Sequence, residues 1–156
     1  STILSAKTPE SFNLDFQTGI AENTLLFGTI RQVMWTQTAL TPPVYAGANN
    51  GDSLKKFTSD TTSYSLGLGR KLSDQWSGAV TYGAEGVAGS PLRPTDGYSK
   101  MGIGVTYTSE QATITLGIQK INLGDISAEA GPGGYYKAAM SGNTALVSAV
   151  KVSYKF

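Results

Sequence analysis

Hydrophobic and polar positions alternate along most of the chain, and the alternation is clearest near its end. Leu146, Val150, Val152, Tyr154 and Phe156 share one parity, while mostly small or charged residues occupy the other. Successive side chains of a β-strand point to opposite faces, so this period of two predicts a strand with one apolar face. The same pattern predicts an all-β, antiparallel up-and-down meander of about seven strands, at residues 11–21, 24–38, 57–70, 76–86, 98–108, 111–123 and 143–156.

The second predicted strand, residues 24–38, differs from the others because both of its parities are partly apolar. Leu26, Ile30 and Met34 lie on one face. Leu25, Phe27, Val33 and Trp35 lie on the other, together with Arg31. Alternation alone therefore leaves open which face of this strand points outward.

The connections between the predicted strands alternate in length. Residues 22–23, 73–75 and 109–110 form short connections, whereas 39–56, 87–97 and 124–142 form long ones rich in Gly, Pro or Asn. In a meander, strict alternation places every tight turn at one end of the sheet and every long loop at the other. Outer-membrane barrels sort their loops in this way, and Greek-key sandwiches do not.

The small-residue parity is a poor candidate for a solvated surface, because it consists mainly of Gly, Ser, Thr, Ala and Gln. Soluble sheets usually place Lys and Glu there. We therefore expect the apolar parity to face lipid and the small-residue parity to line a lumen. The expected lumen charges are Asp15, Arg31, Glu85, Lys100 and Lys151. We interpret them as neutralising one another, with ligand contact as the alternative.

Aromatic residues mark the end of the sheet that carries the short turns. Trp76 follows one tight turn, Tyr107 precedes another, and Tyr154 and Phe156 lie at the same end. Amphipathic rings favour the boundary between membrane and water, so we predict an interfacial girdle here. From Trp76 to Glu85 a strand tilted by about 40° climbs roughly 23 Å, close to the ~25 Å apolar band of a transmembrane barrel.

Composition removes several classes of function. The 156 residues contain no Cys and no His, which excludes disulfides, Ser-His-Asp triads and His-ligated metals. A net charge of +1 gives no electrostatic case for nucleic acid. Neither Gly-rich stretch, at 102–104 or 131–134, opens a helix as a phosphate loop must. We expect no enzyme activity, no cofactor and no metal.

Two stretches carry a resemblance to known families. The sequence TPESFNLD at residues 8–15, then Gly19, a turn at 22–23 and WTQ at 35–37 resembles the FadL-type outer-membrane transporters of long-chain fatty acids and other hydrophobic compounds. Residues 64–76 fit the family's next hairpin. The final run VKVSYKF, ending at Phe156, resembles the C-terminal assembly signal of Gram-negative outer-membrane proteins, which implies recognition by the insertion machinery through strand pairing.

The FadL resemblance implies a 14-stranded barrel with an N-terminal hatch, of which this chain looks like the C-terminal half. It implies long-chain fatty acids or hydrocarbons as ligands and location in the Gram-negative outer membrane. Aligned by the match at Trp35, residues Phe27, Arg31, Val33 and Trp35 take the inward parity and become candidates for lining the passage. Contact with the hatch is the alternative role for them.

Seven strands in an open sheet leave two unpaired edges, which lipid does not tolerate. We therefore expect the chain to pair with the missing half of the barrel or with copies of itself, and not to transport anything alone. Two other interpretations stay open: a porin-like or adhesive segment of an outer-membrane barrel, and a soluble all-β binding domain.

Overall fold

The structure is a computed structural model that describes residues 7–89, 96–130 and 136–156. Antiparallel strands dominate these ranges, as predicted. In chain order the elements are β1 (Ser11–Ala21), β2 (Thr24–Val33), a 3-10 turn (Trp35–Gln37), β3 (Ala39–Leu40), α1 (Pro43–Ala48), β4 (Lys55–Lys56), β5 (Thr61–Lys71), β6 (Trp76–Glu85), β7 (Tyr98–Thr108), β8 (Ala112–Leu123), β9 (Ile126–Ala130), β10 (Tyr136–Met140) and β11 (Thr144–Tyr154).

Seven of the strands form one sheet in the order β1-β2-β5-β6-β7-β8-β11, and β1 and β11 are its edges. Consecutive long strands pair throughout, so the sheet is an up-and-down meander and is not closed. The three short connections lie at one end, which we call the short-turn end, and the three long ones lie at the long-loop end. The long connections hold the β3–β4 pair with α1, and the β9–β10 pair.

The strand register sorts the side chains into two faces. One ladder row joins Leu26, Leu68, Val80, Ile103 and Ile118 across five strands. The face that carries this row is called the apolar face. The opposite face, called the small-residue face, carries a row that joins Phe27, Gly67, Thr81, Gly102 and Gln119. The alternation seen in the sequence is thus preserved from strand to strand across the sheet.

The large side chains of the apolar face do not converge on a shared interior. Leu14, Val80, Ile103, Leu116 and Val152 are 50%, 53%, 59%, 47% and 65% exposed. Among the described residues, the buried apolar side chains are those of Val33, Phe57 and Ala88. The molecule exposes 10829 Å², whereas a compact globule of 16.4 kDa exposes about 7,500 Å². The sheet therefore lacks the apolar core of a soluble sandwich.

The second strand is shorter than the range 24–38 predicted for it, because β2 ends at Val33. Met34 leaves the extended conformation, and a 3-10 turn from Trp35 to Gln37 follows. The next long strand begins at Thr61 and not at residue 57, because Phe57 turns inward against Trp35. The other five strands match their predicted ranges to within two residues at each end.

One close approach on the small-residue face explains why a glycine occupies position 67. The ring of Phe27 lies over Gly67 on the neighbouring strand, in the space that a Cβ atom would occupy. The ring also comes within van der Waals range of a Cβ at Gly69. The Phe27 ring therefore lies flat along the sheet, in the space that the neighbouring glycines leave free, and is half-buried there.

We expect Gly67→Val to destabilise the sheet by about 1–3 kcal/mol, because the new side chain must displace the Phe27 ring. Urea unfolding in detergent micelles, followed by circular dichroism, measures this. Gly19→Val is the matched control, since Gly19 lies on the same face with no neighbouring atom within 4 Å of its Cβ position. Adding Phe27→Ala should relieve the clash in the Gly67→Val variant. Equal stability of the two valine variants would contradict this packing.

Candidate functional site

The apolar face ends in aromatic residues at the short-turn end, where the sequence predicts a girdle. Trp76 and Tyr107 are ladder partners, with ring centroids 4.9 Å apart. Tyr154 and Phe156 pack edge to face at 5.3 Å, and the Tyr154 hydroxyl lies 3.4 Å from the Gln111 side-chain oxygen. All four girdle residues thus lie at one end of the sheet.

A second aromatic pair lies on the same face toward the long-loop end. Tyr64 and Tyr82 have ring centroids 6.4 Å apart and are 49% and 45% exposed. Both lie within predicted strands, at 57–70 and 76–86, and neither lies next to a turn, so the sequence does not mark them as interfacial rings. The β5–β6 register, which sets Tyr64 opposite Ala84 and Leu66 opposite Tyr82, brings them together. Exposed aromatic rings therefore mark both ends of the apolar face.

The middle of the small-residue face is smooth and carries little charge. Two adjacent ladder rows cross it. The row nearer the short turns consists mainly of glycine and alanine. The other row contains glycines and polar residues. The first row is Gly19, Leu25, Gly69, Ala79, Gly104, Gly117 and Ala149, and the second is Gln17, Phe27, Gly67, Thr81, Gly102, Gln119 and Val147. The large apolar side chains in these rows are those of Leu25 and Phe27, which are half-buried, and of Val147, which is exposed.

The four candidate lining residues separate into two groups. Phe27, Arg31 and Val33 lie on the small-residue face of β2, as their parity predicts. Phe27 lies in the middle of that face, Arg31 is exposed beyond it, and Val33 is buried at the long-loop end. Trp35 lies outside the strand, in the 3-10 turn. Phe27 is thus the candidate best placed to meet a molecule on the small-residue face.

The five predicted charges all lie on the small-residue face and are spread over five strands. Asp15 accepts a hydrogen bond from the Thr29 hydroxyl and lies diagonally from Arg31 in the β1–β2 register. Glu85 lies diagonally from Lys100 in the β6–β7 register, and the Lys100 ammonium lies 5.4 Å from the centre of the Tyr98 ring. Diagonal neighbours have Cα atoms about 7–8 Å apart. Opposite charges are therefore set side by side toward the long-loop end.

Lys151 is separate from these four charges. It lies opposite Thr115 near the end of β11, toward the short turns. The structure therefore brings four of the five predicted lumen charges into the same half of the face and leaves the fifth in the other half.

A small cluster fastens the loop base, defined by Trp35, Thr36, Phe57 and Asp60, to the start of β5. Trp35 stacks on Phe57 with ring centroids 4.6 Å apart, and its indole Nε1 donates to the Thr61 hydroxyl at 3.0 Å. Thr36 donates to the Asp60 carboxylate through both its backbone N–H and its hydroxyl, at 2.9 and 2.8 Å. The role of Trp35 that the structure shows is to hold the loop base.

The next loop, between β6 and β7, is held by Asp96 and bonds to this region through Thr58. Its side chain is buried, and its two carboxylate oxygens accept the backbone N–H groups of Ala88 and Gly89. The Ala88 carbonyl in turn accepts the backbone N–H of Thr58, at 3.1 Å. A carboxylate that receives two backbone donors makes strong, charge-assisted bonds. We call this the loop collar, defined by Thr58, Ala88, Gly89 and Asp96.

Within the described ranges, no group of acidic residues is arranged to hold a metal ion. Among the same residues, no helix combines the length and the hydrophobicity needed to cross a membrane. The open antiparallel meander, its exposed apolar face and its sorted connections define the wall of an up-and-down β-barrel as the class of structure. Comparisons with known proteins agree with this class.

No family model and no curated protein match the chain. A solved structure does match: the crystal structure of a Pseudomonas aeruginosa FadL homologue, with a TM-score of 0.60 and 13% identity. The match covers 92% of this chain and 33% of that protein, so the chain spans about a third of its length. The chain therefore has a FadL-like fold and corresponds to an open part of such a barrel.

We expect Asp96→Asn to loosen the loop collar, because an amide cannot accept both backbone N–H groups. Losing one bond to a buried charged group costs about 1–3 kcal/mol. This corresponds to amide exchange at Ala88 and Gly89 that is about 5 to 150 times faster. Hydrogen exchange measured by mass spectrometry reports the change.

Asp74→Asn is the control for this variant. Asp74 is exposed in a short turn, where the Lys71 ammonium donates to it at 2.7 Å and lowers the pKa of the carboxyl. Its loss should leave Ala88 and Gly89 unchanged. Identical exchange in the two variants would show that Asp96 does not fasten the loops.

Proposed function

We propose that the chain forms part of the wall of a transmembrane β-barrel in the Gram-negative outer membrane. The observation that supports this most directly is the exposure of Leu14, Val80, Ile103, Leu116 and Val152 on one continuous face. Exposed apolar surface of this extent is costly in water and favourable against acyl chains. The small-residue face would then line the lumen.

The dimensions of the sheet support the same proposal. Its seven strands contain 10 to 12 residues each, and a tilted strand needs about 9–11 residues to cross a bilayer. Trp76 and Tyr107 at one end, and Tyr64 and Tyr82 toward the other, occupy the places where rings meet the two interfaces. Between these ends, neighbouring strands bond each other's backbone N–H and C=O groups. The hydrocarbon region requires this because it contains no water to bond them.

The two tryptophans of the chain allow a direct test of lipid contact. Trp76 is 45% exposed on the apolar face, and Trp35 is part of the loop base. In vesicles of lipids brominated on the upper acyl chain, we expect strong fluorescence quenching of a Trp35→Phe variant, whose remaining tryptophan is Trp76. The matched Trp76→Phe variant should be quenched much less. Weak quenching of Trp76 would contradict a membrane location.

We further propose that this barrel admits hydrophobic small molecules, with long-chain fatty acids or hydrocarbons as the substrate class. The FadL-like fold supports it, and so does the sparsely charged middle of the small-residue face, where Leu25 and Phe27 provide apolar contacts. A porin-like lumen is expected to be polar and water-filled. Phe27 is the residue that we assign to contact with the moving solute.

Uptake of a radiolabelled long-chain fatty acid tests this, with the chain present in a closed barrel in proteoliposomes. Phe27→Ala should raise the half-saturating concentration about tenfold, equivalent to ~1.4 kcal/mol of lost apolar contact. Thr29→Ala, on the same face and strand, should have little effect. Permeation of small sugars in place of the fatty acid would favour the porin-like alternative.

A further inference from the structure

Two cations lie on the face of the sheet that otherwise carries mainly apolar side chains. In the seven strands of the sheet, all of which the structure describes, the charged residues of the apolar face are Arg70 and Lys120. Arg70 lies opposite Gly78 near the short turns. Lys120 lies on β8 toward the long-loop end and is exposed. A charged side chain that faces lipid is costly unless it reaches the interface or meets a partner.

The positions that surround Lys120 on this face offer it no carboxylate. Its ladder partners are Met101 and Leu146, which are 64% and 72% exposed. The diagonal positions carry Ser99, Ile103, Thr144 and Ser148. These neighbours include hydroxyl groups that can form hydrogen bonds, but they include no anion that could balance the charge of the ammonium group.

A polar row lies one step beyond Lys120, toward the long loops. Asn122 is the ladder partner of both Ser99 and Thr144. Its side-chain amide donates a hydrogen bond to the Ser99 hydroxyl at 3.3 Å, and Asn122 and Thr144 are both exposed. Hydrogen-bond donors therefore lie beside the cation, on the side where the membrane would meet water.

An apolar groove runs along β7 and β8 from Lys120 toward the short turns. It consists of two adjoining hollows of about 260 and 220 Å³, which share Val105 and Leu116. The first hollow begins at Ile103 and Ile118, the ladder pair next to Lys120, and the second ends at the girdle pair of Trp76 and Tyr107. The groove is open to the surroundings of the apolar face and leads away from the cation.

The depth of Lys120 suits contact with a lipid headgroup. Six residues separate it from Ile114, the ladder partner of Tyr107, and a strand tilted by about 40° climbs roughly 16 Å over that length. In an apolar band of ~25 Å, Lys120 is then about 9 Å from the interface at the long-loop end, and its flexible stem extends toward that interface. A lipid with its headgroup there extends its chains past Lys120 and into the first hollow.

We propose that Lys120, Asn122 and the first hollow of the groove bind a lipid with an anionic phosphate headgroup, from the leaflet at the long-loop end. The Lys120 ammonium donates to the phosphate, Asn122 and Thr144 donate further hydrogen bonds, and one acyl chain lies between Ile103 and Leu116. Hydrogen bonds between ionised groups of this kind are roughly twice as strong as neutral ones. The site depends on the proposed membrane location, because only there does a lipid cover this face.

The distribution of charge supports a lipid as the occupant of this site. On the small-residue face Asp15 lies diagonally from Arg31, and Glu85 from Lys100, so opposite charges are neighbours. The apolar face carries cations alone within the seven strands, and an anion from outside the chain balances Lys120. The site is also separate from Phe27, which lies on the opposite face and is assigned to the transported molecule.

Fluorescence quenching in mixed bilayers tests the site. A Met101→Trp reporter next to Lys120 is placed in a Trp35→Phe, Trp76→Phe background, in vesicles of equal parts phosphatidylglycerol and phosphatidylcholine, with one or the other lipid brominated. We expect phosphatidylglycerol to be enriched about fivefold at this reporter, equivalent to ~1 kcal/mol. A Leu14→Trp reporter, on the same face of β1, should show no enrichment.

Three variants assign the enrichment to the ammonium group. Lys120→Gln should abolish it, whereas Lys120→Arg should retain it. Lys151→Gln removes the same charge from the small-residue face and should leave it unchanged. Enrichment that survives Lys120→Gln, or that is equal at the Leu14→Trp reporter, would overturn the proposal.

Two competitors separate the lipid from other anions. Millimolar inorganic phosphate should not displace the phospholipid, because it has no chain to place in the groove; displacement would overturn the assignment to a lipid. Enrichment of a brominated fatty acid in place of phosphatidylglycerol would also overturn it.

The membrane location and the lipid site fail in distinguishable ways. Equal quenching by the two phospholipids at the Met101→Trp reporter counts against the lipid site alone. Quenching by neither lipid counts against the membrane location, and the lipid site falls with it.

Discussion

The strand register is the constraint on which the other features of this sheet depend. Because side chains alternate with a period of two, a slip of one residue in a single pairing would move a strand's apolar set to the opposite face. The unbroken register from β2 to β11 keeps Leu68, Val80 and Ile103 in one row and the glycines in another. The aromatic ends, the smooth middle of the small-residue face and the paired charges all follow from that alignment.

The chain organises its two regions by different physical means. The sheet is held by backbone ladders and has no apolar core, whereas the loop bases are held by a small buried cluster around Phe57, Ala88 and Asp96. This division suits a wall whose large side chains face lipid, because hydrogen bonds strengthen where water is excluded while apolar burial within the wall is unavailable. The water-exposed loops need a conventional core of their own.

The sheet could be predicted from the sequence because each of its strands alternates apolar with small or polar residues, a pattern visible within a single strand. Alternation located the seven strands and placed Phe27, Arg31 and Val33 on the face that the structure gives them. It extended β2 through Trp35, since the change to a 3-10 turn depends on Phe57 and Thr61, which are distant in sequence. The Tyr64–Tyr82 pair could not be predicted because the strand-pairing register brings the two rings together. The Asp96 bonds could not be predicted because they form within an irregular connection, where the sequence has no periodic pattern.

The unequal connections make the two ends of this sheet very different molecular surfaces. At one end the chain reverses within two to four residues, helped by Asn23, whose positive φ of 56° completes the tightest turn. Turns this short expose little backbone that an antibody or a protease could bind, and they leave little room for an inserted affinity tag. Natural variation in chain length, and any engineered epitope, will be accommodated at the opposite end, in the excursions beyond the buried Phe57 and Asp96.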